Sequence, residues 1–121
     1  MNRRRFLSWI QRKLLSRWRL RPKREKVNQI YKITYPNGKI YVGQDRTGTL
    51  LYFGSANRLG VASDFTAEER LDFTVRKQIL WESETATPEV ITAKEAEFII
   101  ALRSNDPAIG YNRWPKNRIS N

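Results

Sequence analysis

The chain contains no cysteine and no histidine in 121 residues. Disulfides, thiolate zinc sites, cysteine nucleophiles and imidazole acid/base chemistry are therefore excluded together. Catalysis, if the chain performs any, rests on carboxylates, phenols, amines, hydroxyls or a bound hard cation. Three groups are placed to do such chemistry: the phenols of Tyr31 and Tyr41, and the carboxylate of Glu95.

The two phenols are brought together by a hairpin. Asn28 to Tyr35 and Lys39 to Gln44 read as strands on their β-branched and aromatic content, with Pro36-Asn37-Gly38 between them. A two-residue Asn-Gly turn would put Tyr41 across from Thr34, on the face opposite to Tyr31. A three-residue loop puts it across from Ile33, so that Tyr31, Tyr41 and Gly43 share a face. Proline suits the first central position of a type I turn, asparagine the next, and glycine the left-handed residue that follows, which favours the second register. Cross-strand aromatic packing accounts for paired tyrosines without any chemistry. Gly43 points the other way, because glycine inside a strand marks close approach of another backbone or a ligand.

Glu95 is conspicuous by its surroundings. Thr87-Pro88 opens a helix running to about Arg103, with proline at the first helical position. Its apolar stripe is Ile91, Phe98, Ile99 and Leu102, and Glu95 falls inside it, at i+4 from Ile91 and i−4 from Ile99. Glu97 lies beside Ala93, Lys94 and Ala101, an ordinary solvated position. A carboxylate directed at the core must be paired, protonated or metal-bound. Arg58, Arg70 and Arg76 are available for a structural ion pair; the other reading is a metal or catalytic role.

Other elements supply the frame. Asp45 to Leu51 reads as a polar turn with Gly48, and residues 50–55 (LLYFGS) as a short third strand or hairpin extension. Ala56 to Asp72 suits one or two short helices, with a Thr66/Glu69 capping box the clearest start. Phe73 to Trp81 alternates as a central strand should, with Lys77 its one awkward member.

Charge is distributed unevenly. The formal net charge is +11, with 23 Lys/Arg against 12 Asp/Glu, and points to a polyanionic partner. Residues 1–26 hold 11 basic side chains and one acid, leaving 12 basic and 11 acidic in residues 27–121. The basic segment has helical periodicity through Phe6, Ile10, Leu14 and Trp18, with Arg12 and Arg17 largely elsewhere on the wheel, and Pro22 should end it. Three readings fit: a nucleic-acid arm using Arg12 and Arg17, a disordered or artefactual upstream extension, or a membrane-surface or targeting element with mitochondrial-presequence composition. Arginines interrupt every apolar run, so neither a secretory signal nor stable membrane insertion is expected.

In order and approximate spacing, QIY at 29–31, YVG at 41–43, the glutamate of EAEFI at 95–99 and GYN at 110–112 resemble the GIY-YIG endonuclease domain. NGKIYVGQ and YFGS strengthen the resemblance, which covers about residues 27–115. It implies a nuclease-like domain over 27–115, between the basic amphipathic extension that the charge pattern marks over 1–26 and a tail over 116–121. It implies a small α/β (α+β) domain with a three-stranded antiparallel sheet flanked by helices, hydrolysing DNA phosphodiesters with one divalent cation, Mg²⁺ or Mn²⁺, and no organic cofactor. By position, Glu95 resembles the sole protein carboxylate on the metal, Tyr31 the phenol that takes a proton from the attacking water, and Tyr41 a partner holding water or phosphate. Gly43 would admit a close backbone approach, and Asn112 would tie the last loop to the site.

An arginine is expected to offset charge at the pentacoordinate phosphorus. Arg58 is the choice, with Arg70 and Arg76 in reserve, both also available to bind DNA along with Lys39. Lys39, the cation or an arginine would have to lower the pKa of a phenol meant to act as a base. Gln29 stands where the family usually has glycine. The resemblance implies a cytoplasmic protein of a bacterial or phage-infected cell. No separate DNA-reading motif accompanies it, and a double-strand break would need a homodimer or two encounters. A catalytically silent nucleic-acid-binding module and a membrane- or partner-associated protein acting through its first helix are the readings from other classes.

Overall fold

The structure, a computed structural model, describes residues 27–54, 56 and 58–117. The basic segment with Arg12 and Arg17, and residues 118–121, lie outside the described residues. Three strands form one antiparallel sheet in the order β2-β1-β3: β1 Asn28–Thr34, β2 Ile40–Asp45 and β3 Arg76–Ser83. Among the described residues two helices accompany it, α1 Arg58–Ser63 and α2 Pro88–Leu102, with one 3₁₀ turn at Glu69–Leu71. This is the α+β architecture expected.

The hairpin register follows the turn chemistry. Gly38 N–H donates to Tyr35 O at 2.9 Å across Pro36 and Asn37, and Gly38 takes φ +83°, the left-handed conformation glycine adopts without strain. The Tyr35 N–H to Lys39 O bond, also 2.9 Å, closes the loop. Ile33 therefore faces Tyr41 and Tyr31 faces Gly43, the three-residue-loop register.

Each face of the sheet has its own cover. On one side, Ile30 and Val42 pack against Ile91 and Ile99 of α2, with Leu80, Trp81, Phe98 and Leu102 around them. α2 starts where expected: Thr87 Oγ1 accepts from Val90 N–H at 3.3 Å, and Pro88 follows. It stops at Arg103, left-handed at φ +59°, where Ser104 N–H reaches back to Ile99 O. On the other side, Tyr52 and Gly54 lie against Tyr31, and Gly54 also against Tyr41.

Two expectations on that second side need correction. The strand in 73–81 begins only at Arg76 and lies at the sheet edge, while β1 takes the centre and pairs on both sides. Residues 50–54 form neither a strand nor a hairpin extension. Their backbone turns, and its carbonyls are held by Lys77, whose Nζ donates to Thr49 O at 3.0 Å, Leu50 O at 3.2 Å and Tyr52 O at 2.7 Å. The misfit in the strand pattern is thus the loop's anchor. The Thr66/Glu69 capping box forms, with Thr66 N–H to Glu69 Oε1 at 2.9 Å and Glu69 N–H to Thr66 Oγ1 at 3.2 Å, but caps only the 3₁₀ turn.

The outer edge of β2 is covered by the chain end. Ile40 forms a parallel bridge with Gly110, and Ser104 and Ile40 backbone atoms crowd that glycine so closely that no side chain fits. Asn112 then acts as one more strand residue. Its Nδ2 donates to Val42 O and its Oδ1 accepts from Val42 N–H, both at 2.8 Å. No helix among the described residues is long and apolar enough to cross a membrane.

Candidate active site

Tyr31 is buried at 1 % exposure, and its ring lies across the α-carbon of Gly43. A Cβ at Gly43 would meet the phenol oxygen and Cζ; a Cβ at Gly54, whose φ is +76°, would meet the same oxygen and, at 2.9 Å, the ring of Tyr41. Two glycines from separate segments therefore clear the space that the Tyr31 hydroxyl occupies. The Tyr41 ring centroid is 6.4 Å from that of Tyr31, and Tyr52 packs edge-on at 6.0 Å. Lys77 Nζ stands 4.9 Å from the Tyr31 centroid.

Glu95 approaches from the helix side. Its half-buried carboxylate bonds the Gln44 side chain, and burial pushes its pKa up against the opposing effect of that bond. Among the described residues no lysine or arginine pairs with it. The structural ion pair with Arg58, Arg70 or Arg76 does not form. Glu97, by contrast, is exposed and paired with Lys94 at 3.3 Å, the ordinary position expected.

The two sides are coupled electrostatically. Burial pushes the Tyr31 phenol well above the usual tyrosine range, and Tyr41, Tyr52, Glu95 and Asp45 each push it further. Tyr31 and Tyr41 share one face of the sheet, and Glu95 joins their neighbourhood from the helix-covered face, through its field at Tyr31 and its bond to Gln44 of β2. Asn112 belongs to it through Val42, which lies between Tyr41 and Gly43.

A cavity of about 430 Å³ opens beside this neighbourhood, lined by Gln44, Asp45, Arg46, Thr47 and Tyr52. Arg46 Nε donates to Gln44 Oε1 at 3.4 Å, which aligns Arg46, Gln44 and Glu95 in one chain of contacts. Asp45 is structural. Its carboxylate accepts from Thr47 N–H at 2.8 Å, Thr47 Oγ1 at 2.7 Å and Thr49 N–H at 2.7 Å. Burial alone would raise its pKa, but the Thr47 and Thr49 bonds outweigh it and hold the group below the usual carboxylate range.

The cationic candidates are scattered. Arg58 opens α1 at a second cavity, of about 460 Å³, to which Gly54 also contributes. Arg70 is directed inward at backbone, with Nε on Phe65 O at 3.2 Å and a terminal nitrogen on Ala62 O. Arg76 begins the edge strand, exposed. Lys39 does not stand beside Tyr31: its Nζ pairs with Asp64 Oδ2 at 2.9 Å, and the same oxygen accepts from Tyr111 OH at 2.7 Å. Lys77 is the ammonium over the Tyr31 ring instead. Gln29 Nε2 donates to Glu82 Oε1 at 2.8 Å, tying β1 to β3 and remaining outside the phenol site.

Sequence reasoning missed Lys77, Gln44, Arg46 and Tyr52. For Lys77 the signal was present, a lone cation on an inward position of a strand pattern. Gln44, one position beyond Gly43, and Arg46, just past the end of β2, flank Asp45, and only the placement of α2 gives them significance.

Comparison with family models, with curated proteins and with solved structures returns no match.

Proposed function

We propose that this chain is a divalent-cation-dependent DNA endonuclease of the GIY-YIG type, hydrolysing phosphodiester bonds. The observation that supports it most is Glu95: a half-buried carboxylate with no cationic side chain paired to it among the described residues, acting electrostatically on a buried phenol. A carboxylate so placed is at a disadvantage unless a cation joins it. The carboxylate oxygens of Glu95 suit a hard ion such as Mg²⁺, which commonly retains most of its waters and binds one or two carboxylates together with substrate phosphate.

When bound, such an ion supplies Lewis acidity and an acidified water. The chain's own residues do the rest. Tyr31 is neutral at physiological pH, so its hydroxyl first serves as a positioned hydrogen-bond partner. It can take a proton only as the phenolate, after giving its own proton to solvent, and that form needs added positive charge to offset burial and the fields of Tyr41, Tyr52, Glu95 and Asp45. Tyr41 orients the same water or a phosphate oxygen. Gly43 and Gly54 make room for the buried hydroxyl, which a reacting group reaches only when the Gly54 segment gives way, and Gln44 fixes the carboxylate. Arg58, across Gly54, is assigned to the phosphate, where a guanidinium offsets charge that develops in the transition state. A double-strand break would need a second copy or a second encounter.

Relaxation of supercoiled plasmid in Mg²⁺ or Mn²⁺ is the test. Cleavage should disappear with chelator and in Glu95→Ala and persist in Glu97→Ala. Cleavage that survives in Glu95→Ala would sink the reading. The second reading, a silent nucleic-acid-binding module of the same fold, draws on the strongly raised Tyr31 pKa. It predicts DNA binding with no strand scission in any divalent ion.

A further inference from the structure

The cavity at the start of α1 has a character that phosphodiester hydrolysis alone does not call for. Tyr35, Phe53, Phe65 and Phe73 line it, with Arg58 and Arg70 among them, and its volume of about 460 Å³ falls within the ~300–1,000 Å³ usual for small-ligand sites. Its aromatic rings are mutually braced. Phe65 and Phe73 meet edge-on at 4.9 Å, and Phe73 lies 6.4 Å from Tyr35, which is itself held edge-on by Tyr111 at 5.1 Å. Yet Phe53 and Phe73 each remain 40 % exposed, an arrangement that leaves flat apolar rings open to a visitor.

Two features specify the visitor. Arg58 brings a cation to the lining, while Arg70 is held by the Phe65 and Ala62 carbonyls and presents a fixed guanidinium. Gly54 belongs both to this cavity and to the space around the Tyr31 hydroxyl, so an occupant here is a close neighbour of the phenol. A planar aromatic ring carried on an anionic backbone fits both features, and the chain's charge of +11, nearly all of it in residues 1–26, favours such a polyanion for the chain as a whole.

We propose that the cavity formed by Tyr35, Phe53, Phe65 and Phe73 receives one unstacked nucleobase of the DNA strand, with Arg58 on its phosphate. The proposal rests on the nuclease reading for its geometry relative to Tyr31, and adds to it a preference for DNA in which a base is already free. Base–aromatic stacking is tolerant of base identity, so selectivity would follow unpairing at mismatches, ends and branches and would be largely indifferent to sequence.

The test uses the full chain with chelator, so that binding is read without cleavage, and oligonucleotides carrying 5-iodouracil at successive positions. Irradiation should cross-link to Phe53, Phe73 or Tyr35, more efficiently when the iodouracil is mismatched than when it is paired. Phe73→Ala should weaken binding roughly tenfold, as loss of one stacking platform does. If that variant fails to fold, Phe73→Leu, which keeps apolar bulk without a π face, should show the same loss. Cross-links confined to residues outside the cavity, in a protein that still nicks plasmid, would overturn the base site and leave the hydrolytic reading standing. Cross-links at Phe73 in a protein that never nicks would sustain the base site and remove hydrolysis. Contacts between Phe73 and the chain's own residues 1–26 that persist when DNA is added, seen as nuclear Overhauser effects, would assign the cavity to that segment and overturn the proposal.

Discussion

Tyr31 lies directly opposite Gly43 in the β1–β2 ladder, and its ring crosses the glycine so closely that any Cβ there would collide with Cζ and the hydroxyl. The phenol is thus aimed by an absence of side chain. Gly43→Ala should cost about 1–3 kcal/mol in urea unfolding, as overpacking of a filled site does. In a Tyr31→Ala background the same change should cost far less, because the colliding group is gone. Equal penalties in both backgrounds would show that the ring does not rest on the glycine.

Glu95 offers a measurement that separates function from structure. Its pKa is raised, chiefly by burial, so the folded chain holds that proton more tightly than the unfolded chain. The stability this gives is complete below the ordinary glutamate pKa and is lost as pH rises through the folded value. At neutral pH the ionised group therefore opposes folding. Glu95→Gln should leave the metal-free Tm unchanged or raise it by up to about 5 °C, while abolishing plasmid nicking. Added Mg²⁺ should stabilise the native chain and not the variant, by about 1.4 kcal/mol at ten times its dissociation constant. A drop of several degrees in Tm would instead identify Glu95 as a structural partner.

The hairpin and α2 were legible from sequence because local chemistry decides them. Pro36-Asn37-Gly38 permits one comfortable turn, and Thr87-Pro88 starts a helix wherever it precedes an apolar stripe. The second face was not legible, because its contacts are long in sequence. Nothing local in residues 49–52 announces that three of their carbonyls will be gathered by Lys77, 25 to 28 positions away. Only the apolar and aromatic run, Leu50 to Phe53, suggested a strand there. Alternation in 73–81 indicated a strand but not its place, since edge and centre differ in pairing partners and not in period. Glu95's position on its helix could be counted; its want of a cationic partner among the described residues depended on where Arg58, Arg70 and Arg76 finally went.

Lys77→Met tests the loop anchor. One ammonium satisfies three carbonyls of residues 49–52, and hydrogen bonds to charged groups contribute ~1.5–3 kcal/mol where removal leaves acceptors unmet. Exposure of those carbonyls to water offsets part of this, so a loss of about 1–2 kcal/mol is expected. Limited proteolysis should show faster cutting between Arg46 and Phe53. An unchanged digestion pattern would mean that the loop holds its course without the lysine.

Alkaline titration reports on the far end of β2. Tyr111 is pushed up to about 12 from an ordinary 10.0, first by burial and then by the Asp64 bond, with the Asn37 bond opposing. Below pH 10.0 both folded and unfolded chains keep this proton, and its contribution to stability is whole. Between 10.0 and about 12 the unfolded chain loses the proton while the folded chain keeps it, so stability falls as pH rises. Tyr111→Phe should flatten that branch of the stability–pH curve. Absorbance at the phenolate band should show Tyr31, Tyr35 and Tyr111, all raised by burial, ionising late and together with unfolding. Early reversible ionisation of every tyrosine would contradict the buried phenols.

Asn112 is the joint between the chain end and the site. Its amide both donates to and accepts from Val42, a pairing that needs one oxygen and one N–H on the same side chain. Asn112→Asp preserves size but turns the donor into a second acceptor facing the Val42 carbonyl. The variant should lose about 1–3 kcal/mol, the penalty for leaving a partly buried polar group opposed. Val42 lies between Tyr41 and Gly43, so release of the strand edge should loosen the seat of Tyr31 as well. Plasmid nicking by the still-folded fraction should then fall by more than the loss of folded protein accounts for. Asn112→Asp with native stability would show that Ile40 and Gly110 hold the edge unaided; native stability lost with full specific activity retained would confine Asn112 to the fold and remove it from the site.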